Sequence, residues 1–257
     1  MIESTVFFDL IDAFQSCSLD ELEDGYLMNR VDTKFLLEIE KLPALLNALK
    51  PEYHVLEVAG KRCLKYENVY YDTSDFHFYH MHHQGRLNRY KVRVRNYVDA
   101  DERFLEVKFK NNKKRTIKTR TGLPKDYDRG LSSYYQFLKQ ARVPQVKNLQ
   151  VCQRSSYTRI ALINHSLKEK LSIDTGMVFQ PLIKGAAGEY RIDNLAIVEL
   201  KQPRIDRHSP AYEFMRRYGV RPSNFSKYCM GLMLSTEEQA LVRYNRFKPV
   251  SRKLKNN

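Results

Sequence analysis

The stretch Tyr90-Lys91-Val92-Arg93-Val94-Arg95 alternates basic and apolar residues, and Phe104-Leu105-Glu106-Val107-Lys108-Phe109-Lys110 repeats the pattern shortly after. Strict alternation marks an extended strand, because successive side chains leave a pleated backbone on opposite faces. Lys91, Arg93 and Arg95 therefore share one face, and Glu106, Lys108 and Lys110 share a face of the following strand. Val92 and Val94, then Leu105, Val107 and Phe109, take the other side. Two such strands side by side make an apolar face that must be buried and a face of stacked cations. Like charges in register repel. Such a face is either solvated or built around something anionic.

The rest of the chain extends the same architecture. Strands are expected at 33–39, 63–71, 88–98, 102–110, 113–121, 149–163, 167–174, 188–193 and 195–202. Helices are expected at 6–15, 42–49, 76–83, 128–141, 208–218 and 226–244. Asp99-Ala100-Asp101 and Asn111-Asn112 are suited to hairpin connections. Pro43 fits the first turn of a helix, and Asp72-Thr73-Ser74-Asp75 reads as a turn and N-cap. No linker rich in Pro, Gly or Ser interrupts the sequence. The expectation is one α+β domain over residues 1–247, dominated by antiparallel strands, followed by a basic disordered tail at 248–257.

Most of these strands contribute cations. Lys34 lies in the first; Lys114, Lys118 and Arg120 share a parity, as do Tyr157 and Arg159. Lys170, Ser172 and Asp174 share a face, and so do Glu199 and Lys201. Polar faces of open antiparallel sheets usually look at water and mix both signs. Closing such a sheet into a barrel aims the cations inward, giving a basic tunnel with helices outside. The net charge of +14 over 257 residues favours an anionic partner: nucleic acid, anionic lipid or phosphorylated small molecules. No apolar run reaches the roughly 18 residues of a membrane span, and Met1-Ile2-Glu3-Ser4 does not begin a signal peptide. Cys17, Cys63, Cys152 and Cys229 form no CxxC motif, which fits free thiols in a reducing cytoplasm. His77, His80, His82 and His83 are crowded together, but zinc needs a defined fourth ligand and geometry, so a surface or tunnel-rim role is expected. Lys113-Lys114-Arg115 lacks aromatic stacking partners on its face, so no specific nucleic acid is expected.

Taken in order, several short motifs resemble one family. They are Arg30-Val31-Asp32-Thr33-Lys34-Phe35, Tyr70-Tyr71-Asp72-Thr73, Arg93-Val94-Arg95-Asn96-Tyr97, Glu106-Val107-Lys108, Tyr157-Thr158-Arg159, Ser172-Ile173-Asp174-Thr175, Val198-Glu199-Leu200-Lys201 and Phe225-Ser226-Lys227-Tyr228. Their succession over residues 25 to 235 is similar to the VTC domain, the polyphosphate polymerase domain of the triphosphate tunnel metalloenzyme (CYTH-like) superfamily. The resemblance implies an eight-stranded antiparallel β-barrel with flanking helices. It also implies transfer of the γ-phosphoryl group of ATP onto a growing polyphosphate chain with a divalent metal, Mn2+ or else Mg2+. Carried over by position, Lys34, Arg93, Arg95, Lys108, Arg159 and Lys227 become the catalytic cations. Lys118, Lys170, Lys201 and Lys91 become further substrate-binding residues, and Glu199 the metal ligand, with Glu106 as a second.

There are departures. Lys170 stands where the family strand usually begins with Arg, exchanging a forked grip for a point charge. Asn224 stands where a second cation is common, and no ExExK motif of the CYTH branch occurs at 30–36. No SPX-type sensor domain or membrane segment is expected, which leaves peripheral association as the mode of any membrane contact. A tunnel-fold hydrolase of tripolyphosphate or nucleoside triphosphates, and a non-catalytic polyphosphate-binding module, are the alternatives.

Overall fold

The computed structural model describes residues 4–21, 30–113, 115–127, 130–183 and 188–234. Lys114, the expected tail at 248–257 and the expected helix beyond residue 234 lie outside the described residues. In chain order the elements are α1 (Ser4–Asp12), β1 (Ser16–Cys17), β2 (Val31–Glu38), α2 (Leu42–Leu49), β3 (His54–Leu56) and β4 (Leu64–Asp72). There follow α3 (His77–His83), β5 (Arg89–Tyr97), β6 (Glu102–Lys110), β7 (Thr116–Gly122), α4 (Tyr135–Gln140) and β8 (Gln150–Asn164). The chain continues with β9 (Glu169–Pro181), β10 (Tyr190–Ile192), β11 (Leu195–Gln202), α5 (Pro210–Arg217) and α6 (Lys227–Leu234). The fold is mostly antiparallel sheet with flanking helices, as expected. Among the described residues the sheet has eleven strands rather than the eight of the expected barrel, and its hydrogen-bonded order does not close from β7 back to β2. The strand expected at 188–193 is present as the three-residue β10, while β1 and β3, two and three residues long, are too short for periodicity to reveal.

The chain divides into two compact units. The first comprises Met1–Lys65, Tyr157–Met177 and Ile192–Phe225, and the second Tyr66–Ser156, Val178–Arg191 and Ser226–Asn257. Strands β8 and β9 each contribute to both.

In the first unit the hydrogen-bonded order is β2-β11-β9-β8, with β3 against β8 and β1 against β3. Alternation decides which side chains enter its core. Phe35 and Leu37 of β2, Ala196, Val198 and Leu200 of β11, Leu171 and Ile173 of β9, and Ile160 and Leu162 of β8 are all buried in one cluster. Leu42, Leu45, Leu46 and Leu49 of α2 and Ala211, Phe214 and Met215 of α5 cover that cluster. Burying a Leu or Phe side chain stabilises by about 1.5–3 kcal/mol, so this layer is what fixes the strand register. Ser209 caps α5 by accepting from Tyr212 N, and Pro210 opens the helix. The buried Glu169 carboxylate accepts from Tyr53 Oη at 2.6 Å and Gln202 Nε2 at 2.5 Å.

In the second unit the order is β8-β4-β5-β6-β7. Val69 and Tyr71, Val92 and Val94, and Leu105 and Val107 form a buried layer covered by Leu138 of α4 with Leu131, Val143 and Val146. The β5–β6 connection is a 3-10 turn at Val98–Ala100 closed by Asp101 in the left-handed region, φ 51°. Asn111 closes the next hairpin, its Oδ1 accepting from Arg115 N at 3.0 Å. Asp72, at the end of β4, accepts from the backbone N–H groups of Phe78 and Tyr79 at 2.9 Å and so anchors the start of α3. Helix α6 buries five consecutive residues, Tyr228 to Leu232, so apolar surface surrounds it on every side.

Candidate functional site

The alternation that fills each core leaves a second, polar set of side chains on the same strands. In the second unit this set forms rows across the sheet, because directly paired residues in an antiparallel ladder share a face. Lys91 pairs with Lys108, and Lys108 with Lys118. The adjacent row is Tyr70, Arg93, Glu106 and Arg120; the next holds Asn68, Arg95 and Phe104.

Arg93 is buried and donates from Nε (2.9 Å) and Nη2 (2.6 Å) to Glu106 Oε2. Lys118 Nζ lies 2.5 Å from the other oxygen, Oε1. Burial alone would raise the Glu106 pKa, but Arg93, Arg95 and Lys118 outweigh it and hold this carboxyl well below the usual carboxylate range. Arg95, also buried, donates through Nε to Asn68 Oδ1 at 3.1 Å. Its guanidinium lies 5.4 Å from the Tyr66 ring and 5.8 Å from the Tyr97 ring. Lys91 Nζ donates to Ser226 Oγ at 2.9 Å, and Lys227 follows as the first residue of α6. Tyr228 stacks on Tyr70, with centroids 5.1 Å apart, and donates a hydrogen bond to Asp72. Burial raises the Asp72 pKa despite the hydrogen bonds it accepts.

In the first unit the polar rows run Lys34–Glu199–Ser172 and Asp32–Lys201–Lys170. Glu199 sits between two ammonium groups, Lys34 Nζ at 3.2 Å and Lys201 Nζ at 3.5 Å. Arg159 grips Asp174 with both forks, Nε to Oδ1 at 2.5 Å and Nη2 to Oδ2 at 2.7 Å. Burial, with Lys201 and Arg159 nearby, pushes the Lys170 pKa down to about 8. Burial likewise lowers that of Lys201, against the pull of Glu199. The Ser172 hydroxyl, cross-strand from Glu199, is buried without a hydrogen-bond partner.

Every expected site residue lies on a described element. Lys91, Arg93, Arg95, Glu106, Lys108, Lys118 and Lys227 belong to the second unit, and Lys34, Arg159, Lys170, Glu199 and Lys201 to the first. The structure adds Asn68, Ser172 and Ser226. Strand parity was the signal for the first two, since Asn68 shares a face with Tyr70 and Ser172 with Lys170. A neutral side chain among so many cations carries no comparable signal.

A metal of the Mg2+ or Mn2+ kind keeps several waters and substrate oxygens, and asks the protein for only one or two carboxylates. Among the described residues no group of three or more His, Cys, Asp or Glu could hold a metal ion. Glu199 fits that modest demand: it is partly exposed, ion-paired with Lys34 and Lys201, and next in register to the unsatisfied Ser172 oxygen. Glu106 fits poorly, because it is fully buried with both oxygens committed to Arg93 and Lys118. The histidine-rich segment forms α3, where His82 Nδ1 accepts from Arg89 Nε at 3.1 Å and His83 stacks on Tyr79.

A family model described as the VTC domain matches residues 29–236. No curated protein matches the chain in sequence. Among solved structures, a candidate adenylyl cyclase from Hippeastrum, described as having a dominant triphosphatase activity, superposes with a TM-score of 0.52 at 13% identity. That match covers 81% of this chain and 98% of the other. A candidate adenylate cyclase from Bacillus halodurans gives a TM-score of 0.50 at 12% identity, covering 77% and 96% respectively. At such identities the likeness is one of fold.

Proposed function

The chain belongs to the VTC domain family, and from that premise we propose that it is a metal-dependent polyphosphate polymerase. It transfers the γ-phosphoryl group of ATP to the end of an inorganic polyphosphate chain. The observation that carries this reading is the row Lys91–Lys108–Lys118, three lysines on three neighbouring strands, placed beside the buried Arg93 and Arg95. Lysines in direct cross-strand register repel, and a linear polyanion lying along the row converts that repulsion into attraction.

Phosphoryl transfer proceeds through a loose transition state with negative charge spread over the phosphate oxygens, so positioning and electrostatics carry the catalysis. Lys91, Lys108, Lys118 and Lys227 serve as point donors, while Arg93 and Arg95 present planar forks. Their geometry is set before substrate arrives, since Glu106 and Asn68 hold the two guanidiniums in place. Glu106 acts here as a counter-ion. On the other set, Lys34, Arg159, Lys170 and Lys201 bind phosphate oxygens and Glu199 holds the divalent cation, with Mn2+ preferred over Mg2+. Bound there, the cation would offset charge on the leaving nucleotide. The acceptor is itself a phosphate oxygen, so no side-chain nucleophile is required.

The eight long strands β2, β4 to β9 and β11 equal the number that an eight-stranded tunnel needs, and closure of that tunnel over one domain at 1–247 is part of the proposal. A cytoplasmic location belongs to it as well, supported by four free cysteines. Among the described residues no helix is long and apolar enough to cross a membrane. The triphosphatase described for the Hippeastrum structure favours a second reading, hydrolysis of tripolyphosphate or nucleoside triphosphates.

The test is incubation with ATP and Mn2+, with and without a short polyphosphate primer. A ladder of lengthening chains with ADP supports the polymerase. Free phosphate without a ladder replaces it with the hydrolase, and neither product rules out both.

A further inference from the structure

Asn68 is 1% exposed, and its two amide atoms are in opposite situations. Its Oδ1 accepts from Arg95 Nε at 3.1 Å, whereas its Nδ2 is buried with no hydrogen-bond partner. The arginine fixes which way the amide is turned: a guanidinium only donates, so the carbonyl oxygen must face it and the NH2 group cannot. A buried donor left without an acceptor costs about 1–3 kcal/mol, so each one in a well-packed unit calls for an explanation, and a bound ligand is one.

The surroundings say what kind of acceptor is missing. Asn68 and Arg95 are direct cross-strand partners, and Tyr70 and Arg93 pair in the next row on the same face. Tyr66 and Tyr97 flank the Arg95 guanidinium and limit its rotation. Of the residues named around the orphaned NH2, Arg93 and Arg95 are donors only. An oxygen carried in from outside would serve the neutral amide donor and the two arginines together, and an anionic one is favoured.

We propose that Asn68 is a substrate-binding residue, its Nδ2 donating to the phosphate oxygen that Arg93 and Arg95 attract. This rests on the reading that the face binds a polyanion. It adds a neutral, directional donor to a set of cations, and such a donor favours one oxygen position over its neighbours. A residue acting through Arg95 alone would be a positioning residue and would need only its Oδ1.

The experiment uses the full chain, without metal, and inorganic tripolyphosphate as the probe. In the wild-type protein, nitrogen-15 NMR of the Asn68 side-chain amide should show one NH2 proton moving downfield as tripolyphosphate saturates the site. By calorimetric titration, Asn68→Asp should bind about tenfold to a hundredfold more weakly, the equivalent of one lost hydrogen bond to a charged group. Its melting temperature should stay at or above that of wild type, because Arg95 keeps an acceptor. Saturation without movement of the Asn68 resonance overturns the proposal even if Asn68→Asp binds weakly, since charge repulsion then explains the loss. Unchanged affinity in Asn68→Asp overturns it as well. Wild-type protein that fails to bind tripolyphosphate overturns instead the reading beneath it.

Discussion

Arg93 and Glu106 face each other across β5 and β6, and both donors of the guanidinium edge converge on a single carboxylate oxygen, at 2.9 and 2.6 Å. The second oxygen is 2.5 Å from Lys118 Nζ on β7, so one buried carboxylate ties three strands together. Removing it leaves a buried guanidinium without its counter-charge. Glu106→Ala is therefore expected to cost about 3–5 kcal/mol of stability, the usual penalty for breaking a buried pair from one side. Tripolyphosphate should restore part of that loss, and raise the melting temperature of the variant more than that of wild type. Equal thermal shifts in the two proteins would count against an anion site at Arg93.

The same residue gives a pH dependence of fixed sign. Its folded pKa lies below the ordinary value of about 4.3, so the folded state releases this proton more readily than the unfolded chain. The stability it contributes is fully present above pH ~4.3 and is lost as pH falls toward the folded pKa. Denaturant titrations from pH 6 to pH 3 should show a steeper fall in wild type than in Glu106→Gln. Parallel curves would remove Glu106 as the cause.

Lys170 titrates the other way. Its pKa is pushed down to about 8 by burial and by the cations Lys201 and Arg159. Below pH 8 the folded protein carries this charge at a cost. Between about 8 and the unfolded value near 10.4 the unfolded chain holds a proton the folded one has shed, so this group makes stability rise with pH. Polyanion affinity should do the reverse and weaken as pH rises from 7 to 9. Lys170→Arg, which keeps its charge, should flatten that profile; a wild-type profile already flat would show that Lys170 does not contact the chain.

Much of the scaffold is legible in the sequence because burial imposes a period. Val92, Val94, Leu105 and Val107 mark β5 and β6 to within a residue of their ends, and α2 occupies Leu42–Leu49 as expected. β9 is different: a strand expected at 167–174 runs on to Pro181 through Gly176, whose φ of 56° lets a strand absorb an irregular residue without ending. The apolar pattern alone reads that glycine as a stop. α4 is shorter than its expected 128–141, since a 3-10 turn takes Ser132–Tyr134. Charged site residues stand out by parity. Asn68 does not, because the significance of an amide depends on which of its atoms finds a partner, and only packing decides that.

Gly231 in α6 shows packing at its tightest. A Cβ there would lie 1.9 Å from Gln153 Nε2 and 2.4 Å from Phe179 Cδ1, both fully buried. The Gln153 amide could turn aside, but the Phe179 ring has little room. Gly231→Ala should destabilise by about 1–3 kcal/mol through overpacking, outweighing its gain in helix propensity. Chemical denaturation measures this directly, and a stabilised variant would mean that α6 is held more loosely than the structure shows.

Glu199 separates binding from turnover. It neutralises Lys34 and Lys201, at 3.2 and 3.5 Å, so removing its charge leaves the cationic row more attractive to phosphate. Glu199→Gln keeps the shape and should bind tripolyphosphate, without metal, as tightly as wild type or more tightly. If the same carboxylate holds the divalent cation, turnover with ATP and Mn2+ should nevertheless fall at least about a hundredfold, since Lewis-acid stabilisation is worth several kcal/mol. A structural role predicts the opposite pairing, with binding and stability impaired together and turnover reduced only in proportion. Measuring affinity and rate on this one variant therefore decides whether Glu199 serves the reaction or only the fold.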